Sequence, residues 1–144
     1  MKFVYDDGGR AAAGYSGEAR DCVTCAIAIA TGKAYQEVYD DLNRLVSTDG
    51  RRQRRGRRSS ARTGVPKPIS RRYLASLEWK WVPTMKIGSG CTVHLRTEEL
   101  PPGRLVVAVS RHFVAVIDGV VHDTHDCTRN GSRCVYGYFV AGRP

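Results

Sequence analysis

From residue 104 onward the chain reads as runs of branched apolar residues broken at two-residue intervals, and this pattern constrains the fold most. The runs cover 104–109, 112–117 and 120–124, and Asp118-Gly119 separates the second from the third. An Asp-Gly pair between apolar runs is a strong signal for a tight β-hairpin turn, because both residues tolerate positive φ. A further run, Cys-Val-Tyr-Gly-Tyr-Phe-Val at 134–140, reads as another strand. Such strands need cover on at least one face, and the first half of the chain supplies helices to provide it. Helices first and antiparallel strands afterwards is an α+β order. At 144 residues the chain is expected to form a single domain with its own core.

The first predicted helix spans 21–31. Asp21 is expected at its N-cap, with the carboxylate accepting backbone N–H bonds, and Gly32 ends it. The second spans 34–46, with Tyr35, Val38, Tyr39, Leu42 and Leu45-Val46 at helical spacing. Residues 8–20 are rich in Gly and Ala and read as a loop. A third helix is expected over 69–77 after Pro66 and Pro68, a strand over 79–82, and a short helix over 92–100 capped by Thr92. Trp79 and Trp81 are expected on opposite faces of their strand, one buried and one partly exposed.

Three residues carry the chemistry. Cys22 opens an apolar helix, where a thiol ionises more readily than in bulk water. His112 opens the strand that enters the Asp118-Gly119 hairpin. If that turn is two residues long, Val114 faces Asp123, and Asp123 lies one diagonal step from His112. Thiol, imidazole and carboxylate could then form a relay in which the ring takes the thiol proton and the carboxylate orients the ring. Asp118 sits in the turn and reads as a turn former. Cys25 lies one helical turn beyond Cys22, where the N-terminal dipole has faded, and reads as core.

Two stretches together resemble papain-like cysteine peptidases, in particular the small C39-like group and related phage and bacterial proteins of unassigned function. One holds Asp21-Cys22, Thr31-Gly32 and Tyr35…Val38-Tyr39. The other holds Ser110-Arg111-His112, Val114 to Gly119 and His122-Asp123-Thr124. The resemblance covers about residues 15–46 and 92–140. It implies a papain-like fold whose nucleophile helix packs on a C-terminal antiparallel sheet. It also implies a nucleophile at Cys22, a general base at His112 and an orienting carboxylate at Asp123. Such a site would act without a cofactor on a protein or peptide substrate, as peptidase, amidase or deamidase. Papain-like enzymes usually place a glutamine upstream of the cysteine as an oxyanion donor. None lies between Met1 and Cys22, and Ser16 near that position could donate a weaker bond. The departure motivates an alternative: a catalytically idle papain-like binding or structural module.

Charge is concentrated outside the resembling stretches. The chain carries +9, while the segment from Arg44 to Arg72 carries eleven basic residues against one acid, Asp49. That segment nets +10 and leaves −1 for everything else. Its centre, Arg51-Arg52-Gln53-Arg54-Arg55-Gly56-Arg57-Arg58, lies in a glycine-broken insert at about 47–67 that is expected to be mobile. Arg51, Arg52, Arg54, Arg55, Arg57 and Arg58 could hold nucleic acid or an acidic protein by salt-sensitive contacts. No aromatic residue interleaves them, so base stacking is unsupported.

The five cysteines, an odd number, and an N-terminus that turns acidic at Asp6-Asp7 point to a reduced, cytoplasmic protein with free thiols. No apolar run approaches the ~20 residues of a membrane helix. A zinc site drawn from Cys91, His94, His122, His125, Cys127 and Cys134 is the competing constellation. It lacks a C-x-x-C pair, and no metal is expected.

Overall fold

A computed structural model of the chain describes residues 1–15, 21–48, 64–86 and 88–142. The predicted insert tip, with Arg51, Arg52, Arg54, Arg55, Arg57 and Arg58, lies outside the described residues, as does Ser16. The order is β1 (Lys2–Tyr5), α1 (Cys22–Thr31), α2 (Tyr35–Thr48), α3 (Lys67–Ser76), β2 (Trp79–Pro83), β3 (Arg104–Val109), β4 (His112–Ile117), β5 (Val120–Asp123) and β6 (Val135–Ala141). The class is α+β. The strands form one mixed sheet in the order β1-β5-β4-β3-β6-β2, with β1 parallel to β5 and the other pairings antiparallel.

The hairpin register is the one the turn chemistry requires. Ile117 pairs with Val120 around Asp118-Gly119, which have φ of 48° and 78°. Asp118 is a turn former as expected, and its carboxylate accepts the Gly103 N–H at 2.8 Å. Gly119 has a second reason to be glycine. A Cβ there would run into the side chain of Thr97, whose hydroxyl donates to the Gly119 carbonyl at 2.7 Å.

The central strands are buried on both faces. Val106, Ala108, Phe113 and Ala115 face the helices, where they meet Ile27, Val38, Leu42 and Leu74. Leu105, Val107, Val114 and Val116 face the other way, onto Leu95, Leu100, Cys127 and Val135. The period-2 alternation therefore separates two apolar layers rather than core from solvent. α1 is apolar all round, with everything from Val23 to Ala30 buried. Such a helix belongs inside. It lies against β4 and β3, with α2 alongside and the N-terminal loop pressed on it. Gly8, at φ 70°, is part of that loop. A Cβ there would sit 3.1 Å from the Cys25 carbonyl oxygen, so the close approach requires glycine.

Three expectations fail for physical reasons, and one strand forms where none was expected. Residues 92–100 hold no α-helix. His94 forms an isolated antiparallel bridge with Cys134, and only Thr97–Glu99 make a 3₁₀ turn. Trp79 and Trp81 do not part company across the strand. Residues two apart point the same way, and both pack on the helix-side core. Lys2–Tyr5 add a parallel strand at the sheet edge that no pattern announced; their side chains are exposed, so no alternation is imposed on them. Finally, Cys91 and Cys134 are joined in a disulfide, with Cα atoms 5.8 Å apart, rather than free. They come together because the His94–Cys134 bridge lays one loop beside the other. Cys22, Cys25 and Cys127 are free.

Candidate active site

Asp21 opens α1 through its backbone, whose carbonyl accepts the Cys25 N–H at 2.9 Å. Its side chain does not cap the helix, contrary to expectation. The carboxylate is buried and turned inward. It takes an ion pair from Arg10 at 3.0 Å, the Tyr35 hydroxyl at 2.7 Å and the Cys25 thiol at 3.3 Å. A buried carboxylate needs such partners, and an arginine offers more than amides at a helix end could. The network fixes the head of α1 against the N-terminal loop and α2. It also disposes of Cys25. Burial, reinforced by the Asp21 charge, pushes that thiol far above its ordinary range, so it is a core residue with no chemistry of its own.

Cys22 is the first residue of α1 and is half-buried. The amides of a first helical turn have no i−4 carbonyl partner and point out of the helix end beside it. His112 is the first residue of β4, directly after Arg111, which takes the left-handed φ of 56° needed to close the β3–β4 turn. Asp123 is the last residue of β5 and is 6% exposed. Because α1 packs along β4, the thiol, the ring and the carboxylate meet at one end of the sheet.

His112 Nε2 lies 2.6 Å from Asp123 Oδ2, while Asp123 Oδ1 accepts the Thr124 N–H at 2.7 Å. With Nε2 committed to the carboxylate, Nδ1 is the nitrogen left for a thiol. Burial disfavours a charged ring here. The hydrogen bond to Asp123 outweighs it, aided by weaker ones to the sulfurs of Cys127 and Cys22, and the imidazole is raised to about 11. Burial acts to raise Asp123 as well, but the His112 hydrogen bond and charge win and hold it below the usual carboxylate value. The ring therefore carries its proton through neutral pH.

The structure thus brings Cys22, His112 and Asp123 together, and leaves Asp118 at the far end of β4. It adds Cys127, a buried thiol beside the His112 ring, which the sequence reading takes as a free thiol or a candidate zinc ligand and not as part of this site. No sequence signal pairs Cys127 with His112, since that contact depends on how the segment after β5 folds back. His125 is exposed, its ring 5.2 Å from that of His112.

A cleft of about 270 Å³ opens at Cys22 and His112, walled by Val65, Val109, Arg111 and Tyr136. It adjoins a second of about 250 Å³, and Lys67, Ala108, Phe113 and Tyr136 line both. The second is floored by Trp81 and Phe139, with Arg71 lying 5.1 Å over the Trp81 ring and Lys67 6.0 Å over that of Tyr136. The path from the thiol is apolar below and cationic along its rim.

Two groups of side chains could hold a metal ion among the described residues. One is His112, Asp123 and His125; the other is Cys91, His94 and Cys134. In the first, the Nε2 proton already bridges to Asp123, and a metal on that nitrogen would displace it. The competing zinc constellation is divided: His122 lies 3.8 Å from Asp6, and Cys127 lies beside His112.

No family model, curated protein or solved structure matches this chain. Among the described residues, no helix is long and apolar enough to cross a membrane.

Proposed function

We propose that this protein is a cysteine-dependent acyl-transfer hydrolase of papain-like type, with Cys22 as nucleophile, His112 as general acid–base and Asp123 as the group that orients and charges the ring. The observation that carries this reading is the 2.6 Å His112–Asp123 contact, which leaves the opposite ring nitrogen for the thiol at the head of α1. A ring that keeps its proton at neutral pH favours a thiolate beside it. The thiolate adds to an amide carbonyl. The imidazolium gives its proton to the departing amine, and a thioester remains on Cys22. Water then attacks the thioester, its proton passing to His112, and releases the acid. The Cys22 backbone N–H, at the start of α1, serves as an oxyanion donor in this reading. The two adjoining clefts suit an extended peptide with an apolar side chain near the scissile bond and acidic groups along the rim.

Labelling by an activity-based thiol probe, followed by a peptide and amide library, tests the reading. Wild type should be labelled at Cys22 and turn over at least one amide, while Cys22→Ala should do neither and His112→Gln should lose turnover. A wild type that labels no faster than free cysteine and cleaves nothing would overturn it.

The missing upstream glutamine favours a second reading, an idle papain-like module that binds through its Arg-rich segment. On that reading, log affinity for nucleic acid or an acidic protein falls steeply with log salt. Serine at Arg51, Arg52, Arg54, Arg55, Arg57 and Arg58 then abolishes binding without touching Cys22. Salt-indifferent binding, or binding unchanged in that variant, removes it.

A further inference from the structure

Away from the cleft, the loop before β3 and the loop before β6 converge on a cluster of different chemistry. The His94–Cys134 bridge is flanked by Leu95 N–H to the Arg133 carbonyl and Val135 N–H to the Val93 carbonyl, both at 2.8 Å. This backbone ladder sets Cys91, His94 and Cys134 side by side, with their ligand atoms within 4.8 Å of one another. All three are partly exposed.

The orientation of His94 is the informative detail. Its Nδ1 lies 3.1 Å from Glu99 Oε1, and the same oxygen accepts the His94 backbone N–H at 3.0 Å. In the tautomer this contact selects, the carboxylate accepts the Nδ1–H and the Nε2 lone pair faces away from Glu99. What it faces is Cys91 Sγ, at 3.5 Å. A disulfide sulfur has no proton to give that lone pair. A carboxylate on one imidazole nitrogen and cysteine sulfur beside the other is the arrangement that outer-sphere carboxylates impose on zinc-ligating histidines.

We propose that Cys91, His94 and Cys134 form a redox-gated zinc site, closed as a disulfide and opened to Zn²⁺ by reduction. A dithiol reductant supplies two electrons and two protons, becoming a disulfide itself while the Cys91–Cys134 bond becomes two thiols. Zn²⁺ then displaces both thiol protons and is held by two thiolates and His94 Nε2, with water in the fourth position. Tetrahedral zinc with sulfur at ~2.3 Å holds two sulfurs ~3.8 Å apart, so the sulfurs must part. Side-chain rotation can supply that movement while the backbone ladder keeps its register. Glu99 acts as a positioning residue, fixing the tautomer that offers Nε2.

Cobalt titration of the full chain tests this, with a phosphine reductant that does not bind the metal. Reduced wild type should take up one Co²⁺ per chain with sulfur-to-cobalt charge transfer and a tetrahedral ligand-field band. Zn²⁺ should bleach both and raise the melting temperature. Oxidised protein should show neither. Cys91→Ser and Cys134→Ser should lose the charge-transfer signal. His94→Ala and Glu99→Gln, which leave the disulfide available for folding, should weaken metal affinity at least tenfold after reduction, with Cys22 alkylation unchanged. Failure of reduced wild type to bind either metal would overturn the proposal. So would a signal that survives both cysteine replacements, or affinity indifferent to His94 and Glu99.

Discussion

Replacing Asp123 with asparagine keeps the shape of the His112 partner and removes its charge, so it isolates what the carboxylate contributes. The ring nitrogen and carboxylate oxygen are 2.6 Å apart, and both groups are largely buried. Taking the charge centres ~4 Å apart at an effective dielectric of ~20, their attraction is ~4 kcal/mol, equivalent to ~3 pKa units. The imidazole should therefore fall from about 11 to ~8 in Asp123→Asn. The net loss of stability is smaller, ~1–3 kcal/mol, because the amide can still accept the ring N–H. The sign with pH follows from the direction of the shifts. Folding raises His112 above its ordinary 6.5, so the pair's contribution is complete below that value and disappears as pH climbs toward about 11. Folding lowers Asp123 from its ordinary 3.8, so on the acid side the contribution is lost as pH falls through and below that value. The stability gap between wild type and Asp123→Asn should therefore be widest from pH 3.8 up to ~8, where the variant's ring loses its proton, and should narrow from there toward about 11. NMR titration of the imidazole carbons gives the midpoints, and urea unfolding at several pH values gives the gap. An unchanged His112 midpoint in the variant, or a gap that widens as pH rises from neutral, would refute the argument.

Three other outcomes follow from single contacts. At mildly acidic pH, iodoacetamide should modify Cys22 ahead of Cys25 and Cys127, which are buried; peptide mapping that finds Cys127 first would remove Cys22 as nucleophile. Among the described residues, Arg10→Ala leaves the Asp21 carboxylate, 4% exposed, with the Tyr35 hydroxyl and a thiol. Urea unfolding should show a loss of ~3 kcal/mol, and an unaltered midpoint would mean the ion pair contributes nothing. Gly119→Ala should cost ~1–3 kcal/mol, since it combines a φ of 78° with a clash against Thr97, whereas Gly103→Ala, at φ 93° with open space around it, should cost ~1 kcal/mol. Equal losses at the two glycines would show that Thr97 simply moves aside.

Local chemistry was enough to read some of this molecule from its sequence. The Asp118-Gly119 turn set the β4–β5 register, and that register put Asp123 within reach of His112 before any tertiary contact was considered. Gly32, left-handed at φ 78°, ends α1 where the periodicity stops. Cys22 at a helix start and Cys25 one turn inside follow from the same short-range logic. Tertiary packing decided the rest. Asp21 looks like an N-cap in sequence, but Arg10 and Tyr35, which have no fixed spacing from it, outbid the helix amides for its carboxylate. Cys127 reaches the His112 ring, and Cys91 reaches Cys134 across 43 residues, through loops whose paths no periodicity encodes. Exposed Lys2–Tyr5 becomes a strand only because β5 offers it an open edge. Turns, caps and periodicity act over a few residues and are written in the residues themselves. The charge partners of buried groups depend on which distant segments the core brings together, so only the folded chain determines them.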